Sequence, residues 1–256
     1  MKSCKTQECK GLQRIGMLEH DLTVFDQLIS AKIEKIISRG NVIVIKFDNK
    51  LDLIIGLEYG GELFSFQNVK NASSFHVKLV FADDIALTVR LTNMGVIQLL
   101  DEDSLDLSYV YNRDFDLTKL SPTDEDFTLE CFSSLFSEKN KMLKSVLVGK
   151  DAIIVGISNS TFQDILYRAR VHPKRKAAHL STEETRRLYD AIKFVIVERI
   201  RLDGKEEFKD IYQKRGSYVP AIGPHMKEQY CPECGTVIQK LSHGGGHVYL
   251  CPECQT

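Results

Sequence analysis

The run Cys231-Pro-Glu-Cys234, sixteen intervening residues, then Cys251-Pro-Glu-Cys254 closes the chain and sets the terms for reading the rest. A Cys-x-x-Cys pair folds into a tight knuckle, and two knuckles complete a tetrahedral site of four thiolates, the spacing of a structural zinc ribbon. The residues between suit a β-hairpin: Thr236-Val237-Ile238 goes up, Gly244-Gly245-Gly246 turns and Val248-Tyr249-Leu250 returns. Two redox-active pairs or an iron site are the alternatives. Cys4, Cys9 and Cys131 lack partner spacing and read as free thiols. A ribbon alone does not define a function, because ribbons serve nucleic acids, polymerase subunits and pure folding.

Upstream, residues 205–226 have little periodicity and hold Gly216, Pro220, Gly223 and Pro224, the composition of a linking loop. Before them the apolar period is helical. Phe127, Cys131, Leu135 and Phe136 mark one helix; Met142, Val146 and Leu147 mark a second. A third runs over 159–171 and stops at His172-Pro173. A fourth runs over 182–202, with Ser181 or Thr182 as cap and Gly204 at its end. Residues 101–121 are acidic and irregular. Towards the N-terminus come seven short β-branched segments, 33–37, 42–47, 51–57, 62–66, 76–81, 85–91 and 96–100, divided by turns such as Asp48-Asn49-Lys50 and Gly60-Gly61. Seven strands at that spacing predict a sandwich or barrel. A short helix over 21–31, capped by Asp21, precedes them. The fold class is multidomain α+β. The expected divisions are a polar extension at 1–16, a β-sandwich at 17–118, a helical domain with its loop at 119–226 and the ribbon at 227–256.

The chain has 256 residues, 34 basic and 35 acidic, so the formal net charge is −1. Its 43% hydrophobic content is enough for a core and excludes general disorder. The average conceals a split: residues 141–256 hold 19 basic and 13 acidic side chains, net +6, and residues 1–140 are net −7. Such asymmetry points to an interaction face in the basic part; a solvated helix face is the plainer reading of the charge alone. No apolar run reaches membrane-spanning length, and Met1 to Gly16 lacks a secretory apolar stretch, so a cytoplasmic address is expected.

Lys144-Ser-Val-Leu-Val-Gly-Lys-Asp-Ala-Ile-Ile-Val-Gly-Ile-Ser-Asn159, continuing Ser160-Thr-Phe-Gln-Asp-Ile-Leu-Tyr-Arg-Ala-Arg-Val-His-Pro173, resembles the helix-two-turn-helix of the formamidopyrimidine-DNA glycosylase/endonuclease VIII family. Thr182-Glu-Glu-Thr-Arg-Arg-Leu188 and the closing Cys251-Pro-Glu-Cys254-Gln255 match the same family, whose chain order is helix, β-sandwich, helical domain and zinc hairpin. The resemblance covers about Met17 to Gln255. It implies one structural zinc on Cys231, Cys234, Cys251 and Cys254. It also implies a monomer that binds double-stranded DNA, damaged or abasic, in base-excision repair, nucleoid-associated if the source is bacterial. Asn159 falls on the family's phosphate-binding asparagine, at a glycine-containing turn that feeds a helix N-terminus, where backbone N–H groups and the dipole attract anions. Lys144, Arg168, Arg170, Lys174, Arg175 and Lys176 lie nearby and would neutralise phosphates. For Lys174 to Lys176 a solvated loop competes with that role, and Asn159 also suits a helix cap.

The family starts Met-Pro-Glu, where the proline amine attacks the sugar and the glutamate serves as acid. The best match here is Met17-Leu18-Glu19: Leu18 replaces the proline and Glu19 falls on the acid. An internal amide forms no Schiff base, so Met17 or Leu18 serves as nucleophile only where the chain begins there and frees an α-amine. The family lysine falls on Asn41 and the hairpin arginine on Gly246. The void-filling residues fall on Tyr59, Thr92 and Met94, of which Tyr59 and Met94 retain a wedge. Gly246 has no side chain to hold a phosphate, and His243, His247 and Lys240 are candidates to do part of that work. The resemblance therefore implies a bifunctional glycosylase/lyase, and the eroded signature gives the alternative of a catalytically silent binder of damaged DNA.

Overall fold

The computed structural model describes residues 1–256 except Ser73 and Lys150, and describes Tyr59 by its backbone alone. The chain divides into two units: Met1–Asp116 with Glu207–Arg215, and Leu117–Glu206 with Gly216–Thr256.

In the first unit, continuous apolar runs such as Val42-Ile-Val-Ile-Lys-Phe47 arise because one sheet is covered on both faces. β1 (Ser3–Thr6), α1 (Lys10–Arg14), β2 (Ile33–Arg39), β3 (Val42–Phe47), β4 (Leu51–Tyr59), β5 (Glu62–Phe66), β6 (Val77–Val80), β7 (Ala86–Arg90) and β8 (Met94–Asp101) precede α2 (Tyr109–Asp114). The strands form two antiparallel sheets, β2-β3-β4-β8 and β1-β6-β7-β5. Ile45, Phe47, Leu53 and Ile55 point into the inter-sheet core with Leu79, Val89 and Ile97. Val42, Val44 and Ile54 point the other way and are sealed by Val110 of α2.

Two expectations change here. Residues 1–16 are not an appendage to the sandwich. β1 pairs with β6 from Ser3↔Val80 to Thr6↔Val77, and Cys4, Cys9, Leu12 and Met17 pack on the core. Four polar-looking residues, Ser-Cys-Lys-Thr, carry no strand pattern of their own; the free edge of β6 makes them a strand, the eighth. The helix expected over 21–31 is a 3-10 segment, Leu22–Leu28, with Asp21 accepting from the Thr23 amide. Its three-residue period sets Phe25 and Leu28 on one fully buried face.

The loop 205–226 is also divided. Glu207–Arg215 belongs to the sandwich unit, where the Ser65 amide on the free edge of β5 donates to the Ile211 carbonyl at 2.6 Å. This strap closes on itself through the Asp210 carboxylate, which accepts from the Tyr212 and Lys214 amides. It covers part of a sheet edge that would otherwise be a template for pairing.

The second unit holds α3 (Leu129–Ser137), α4 (Leu143–Leu147), α5 (Asn159–Ala169), α6 (Thr182–Arg201), β9 (Gln239–His243) and β10 (Gly246–Leu250). Each of the longer helices starts on a hydroxyl cap: Thr128, Ser158 and Ser181, the last in a full capping box with Glu184. Phe127, Phe132, Phe136, Leu147, Phe162, Leu166, Leu188 and Ile192 form the core, which Val248 of the hairpin joins. The rising strand of the hairpin is β9 rather than residues 236–238, which remain with the first knuckle. The register Gly246↔His243 leaves a two-residue turn, and Gly244 and Gly245 both take positive φ, as that turn requires.

Deletion of residues 1–16 removes β1 and strips the edge of β6. The thermal midpoint is expected to fall by about 5 °C or more, at about 2–4 °C per kcal/mol for a chain of this size. An unchanged midpoint in a melting experiment would show that this segment contributes nothing to the sandwich.

Candidate nucleic-acid interface and zinc centre

The four sulfurs of Cys231, Cys234, Cys251 and Cys254 lie within 4.8 Å of one another. Two of the separations are 3.4 Å (Cys234 to Cys251) and 3.9 Å (Cys231 to Cys254). A tetrahedron with zinc–sulfur bonds of about 2.3 Å has edges of about 3.8 Å, so the donor set fits one zinc ion with all four positions filled by protein. At the first knuckle the surrounding groups favour thiolate. The Thr236 hydroxyl and amide draw the Cys234 thiol down to about 6, and the Tyr167 hydroxyl stands 3.3 Å from the Cys231 sulfur. Gln255, 1% exposed, accepts from the Cys251 amide and donates to the Val171 carbonyl, fixing the second knuckle to the end of α5.

A two-stranded hairpin leaves one edge of β10 unpaired. Here α5 occupies that edge with side-chain amides. Asn159 and Gln163 stand four residues apart, on one helix face. Asn159 Nδ2 donates to the His247 carbonyl at 2.9 Å, and Gln163 Oε1 accepts from the Tyr249 amide at 2.9 Å. His247 and Tyr249 are alternate residues, so both backbone groups face the helix. A third tie comes from α4: Lys144 Nζ donates to the His243 carbonyl at 2.6 Å. Lys144 is 9% exposed, and burial lowers its pKa. A Cβ built on Gly246 would lie 3.6 Å from Lys144 Nζ and 3.8 Å from Asn159 Oδ1, ordinary contacts. Lys144, Asn159 and the glycine turn therefore converge on one spot, and a side chain at position 246 would fit there.

The other basic residues separate. Arg175 grips Glu184 through both guanidinium arms and also donates to the His179 carbonyl. Arg168 pairs with the fully buried Asp164 and lies over the Phe194 ring at 4.8 Å. Both hold helices together, so neither offers an uncommitted charge. Arg170 takes the left-handed position ending α5 and lies 3.7 Å from Glu233. Lys174 is exposed, Lys176 half-buried, and His247 exposed beside the Ser242 hydroxyl. Gln163 and Asp164 were not among the residues expected at this face. Asp164 also accepts from the Tyr218 hydroxyl and the Ala221 amide, and with burial it pushes Tyr218 up to about 12. Two adjacent polar residues inside the otherwise apolar run Phe162–Tyr167 are the one sequence signal that marks Gln163 and Asp164.

In the sandwich unit the trio matched to the family's start has Leu18 buried and Met17 and Glu19 half-buried. Leu18 is 1% exposed, its amide donates to the Leu12 carbonyl, and the Met17 carbonyl accepts from the Ile97 amide. The Glu19 carboxylate accepts from the Leu99 amide at 3.0 Å, and burial raises its pKa despite that bond. Asn41, exposed, donates its amide to Asp114, which Arg113 also holds. Met94 is 60% exposed and pairs with Tyr59 in the β8–β4 register; the Tyr59 side chain lies outside the described residues.

Residues 119–209 match the Formamidopyrimidine-DNA glycosylase H2TH domain, and residues 229–256 match the zinc finger found in FPG and IleRS. These two matches support the formamidopyrimidine-DNA glycosylase family for this chain. The formamidopyrimidine-DNA glycosylase of Streptococcus pneumoniae is 27% identical over an alignment of 279 positions, covering 96% of this chain and 95% of that protein. The Pelotomaculum thermopropionicum protein of the same name is 28% identical over 243 positions, covering 92% and 86%. Among solved structures, Lactococcus lactis Fpg in complex with abasic-site DNA superposes with a TM-score of 0.82 at 21% identity, covering all of this chain and 92% of that one. A MutM complex with DNA carrying carbocyclic 8-oxo-G gives 0.81, also at 21% identity. The β-sandwich, the helical unit and the zinc hairpin thus share the fold of these solved structures.

Gln163→Leu leaves the Tyr249 amide buried without an acceptor. A loss of about 1–3 kcal/mol is expected in denaturant unfolding, with the zinc content of the folded protein unchanged.

Proposed function

We propose that this chain acts in base-excision repair as a DNA glycosylase of its family, holding double-stranded DNA that carries a damaged base or an abasic site. The convergence of the Lys144 ammonium, the Asn159 amide and the turn at 244–246 carries the reading. A cation, a neutral donor and glycine backbone in one place suit a phosphodiester, and α5 adds its N-terminal dipole. The zinc keeps the hairpin folded and takes no part in chemistry, because all four of its positions are sulfur. Relatives carrying the glycosylase name, and neighbours solved with abasic or 8-oxo-G DNA, support the substrate class. Such contacts place the strand without reading its sequence. A monomer in the cytoplasm, at the nucleoid in a bacterium, is the setting that fits; no helix among the described residues is long and apolar enough to cross a membrane.

One observation favours a second reading, binding without lyase chemistry at the expected position. Leu18 is buried and its nitrogen is already hydrogen-bonded, so no amine is presented there. In that reading Glu19 is a structural carboxylate that terminates the Leu99 amide, and Met17 packs on the core.

Two measurements test these readings. Binding to an abasic-site duplex should weaken with salt at a slope of about −0.9 per phosphate neutralised, and Lys144→Ala should reduce that slope by about one. Equal affinity for intact and abasic duplex at moderate salt overturns damage recognition. Borohydride trapping on the abasic oligonucleotide separates the readings: a covalent adduct supports glycosylase/lyase chemistry, and its absence supports the silent binder.

A further inference from the structure

The position matched to the family's hairpin arginine is Gly246, yet the backbone there has room for a side chain, and two phosphate-seeking groups stand in front of it. The missing charge has a candidate source directly across the hairpin. His243 pairs with Gly246 in the β9–β10 register, and its carbonyl is held by Lys144. Its ring nitrogen Nε2 is buried and has no hydrogen-bond partner among the described residues.

We infer that His243 is a proton-linked member of the phosphate site formed by Lys144, Asn159 and the turn at 244–246, neutral in the free protein and protonated when a DNA phosphodiester occupies the site. The inference rests on the DNA-binding reading and adds to it the group that replaces the hairpin arginine.

The electrostatics agree with the geometry. Burial lowers the His243 pKa first, and the charged groups that act on it most strongly push the same way: Lys144 from α4, and Lys174 and His172 from the segment after α5. Among these strongest influences the Pro173 carbonyl, which accepts from the ring, opposes them. The other titratable group at the turn, His247, is exposed on β10. Its preference for the neutral form comes first from desolvation and then from Lys144, Lys174 and His172. A phosphodiester seated against Lys144 reverses that local field, and an opposite charge within a few ångströms raises a histidine pKa. Because the bound-state pKa then exceeds the free one, the proton enters on binding, and affinity rises as pH falls.

The test uses the full chain, zinc-loaded, with an abasic-site duplex at fixed salt. Calorimetry at neutral pH in two buffers of different ionisation enthalpy counts protons taken up, and the His243 ring resonances assign them. Between pH 8 and pH 6 the wild-type affinity is expected to rise about ten-fold. His243→Asn keeps a side-chain donor for Pro173 and cannot titrate, so its pH profile should be nearly flat. His243→Arg carries a fixed charge and should bind at pH 8 as tightly as wild type does at pH 6. Zinc content and melting temperature establish that each variant is folded. No proton uptake by the wild type, or an unchanged profile in the Asn variant, overturns the inference while leaving DNA binding intact. If neither variant folds, the wild-type uptake and the His243 resonances decide alone. Failure of the wild type to bind duplex at any pH in low salt removes the DNA-binding reading itself, and this inference with it.

Discussion

The pairing of α5 with the open edge of β10 is the constraint from which the helical unit and its chemistry follow. A two-stranded hairpin is marginal in water, and zinc fixes only its base. Gln163 and Asn159 act as a substitute third strand, meeting the Tyr249 amide and the His247 carbonyl. Buried backbone groups seldom remain without partners, so this match dictates where the hairpin lies on the helix. Lys144 adds the third tie at the turn. The same contacts that dock the hairpin gather an ammonium, an amide and three glycines at one point, so the docking and the candidate phosphate site are one arrangement.

Asp164 secures the other side of α5. Its carboxylate is fully buried and satisfied by Arg168, the Tyr218 hydroxyl and the Ala221 amide. Removing one partner of such a group costs more than the group contributes when complete, which makes it a fixed anchor rather than a source of large net stability. Arg175 and Glu184 play a similar part between the segment after α5 and the start of α6. Several arginines that inflate the positive charge of residues 141–256 are thus committed within the fold. The charge asymmetry is a sound pointer to this half of the chain but overstates what is available to a polyanion.

The sandwich unit shows how position in a fold overrides resemblance at a short motif. Met17-Leu18-Glu19 has the register of a family start in the linear sequence, yet a preceding strand and helix place it in the interior. β1 exists because the edge of β6 needs a partner, and no period of hydrophobicity in Ser-Cys-Lys-Thr announces it. The eroded positions take structural duties instead: Asn41 steadies Asp114, and Glu19 terminates the Leu99 amide.

The sequence by itself determined the zinc ligands, the seven strands β2 to β8 and the four helices of the second unit. Those features rest on local information: ligand spacing, β-branched runs between turn residues, and caps such as Ser181 with Glu184. It also placed Lys144 and Asn159 at the candidate site through a motif whose residues are near in sequence. Only the tertiary structure decided the rest. The eighth strand, the strap at Glu207–Arg215, the hold of Gln163 on β10 and the position of His243 opposite Gly246 all depend on which backbone groups were left unpaired. That demand is set by elements distant in the chain, and a hydrophobic pattern cannot encode it. For the same reason Leu18 reads as a terminus in the sequence and is a core residue in the fold.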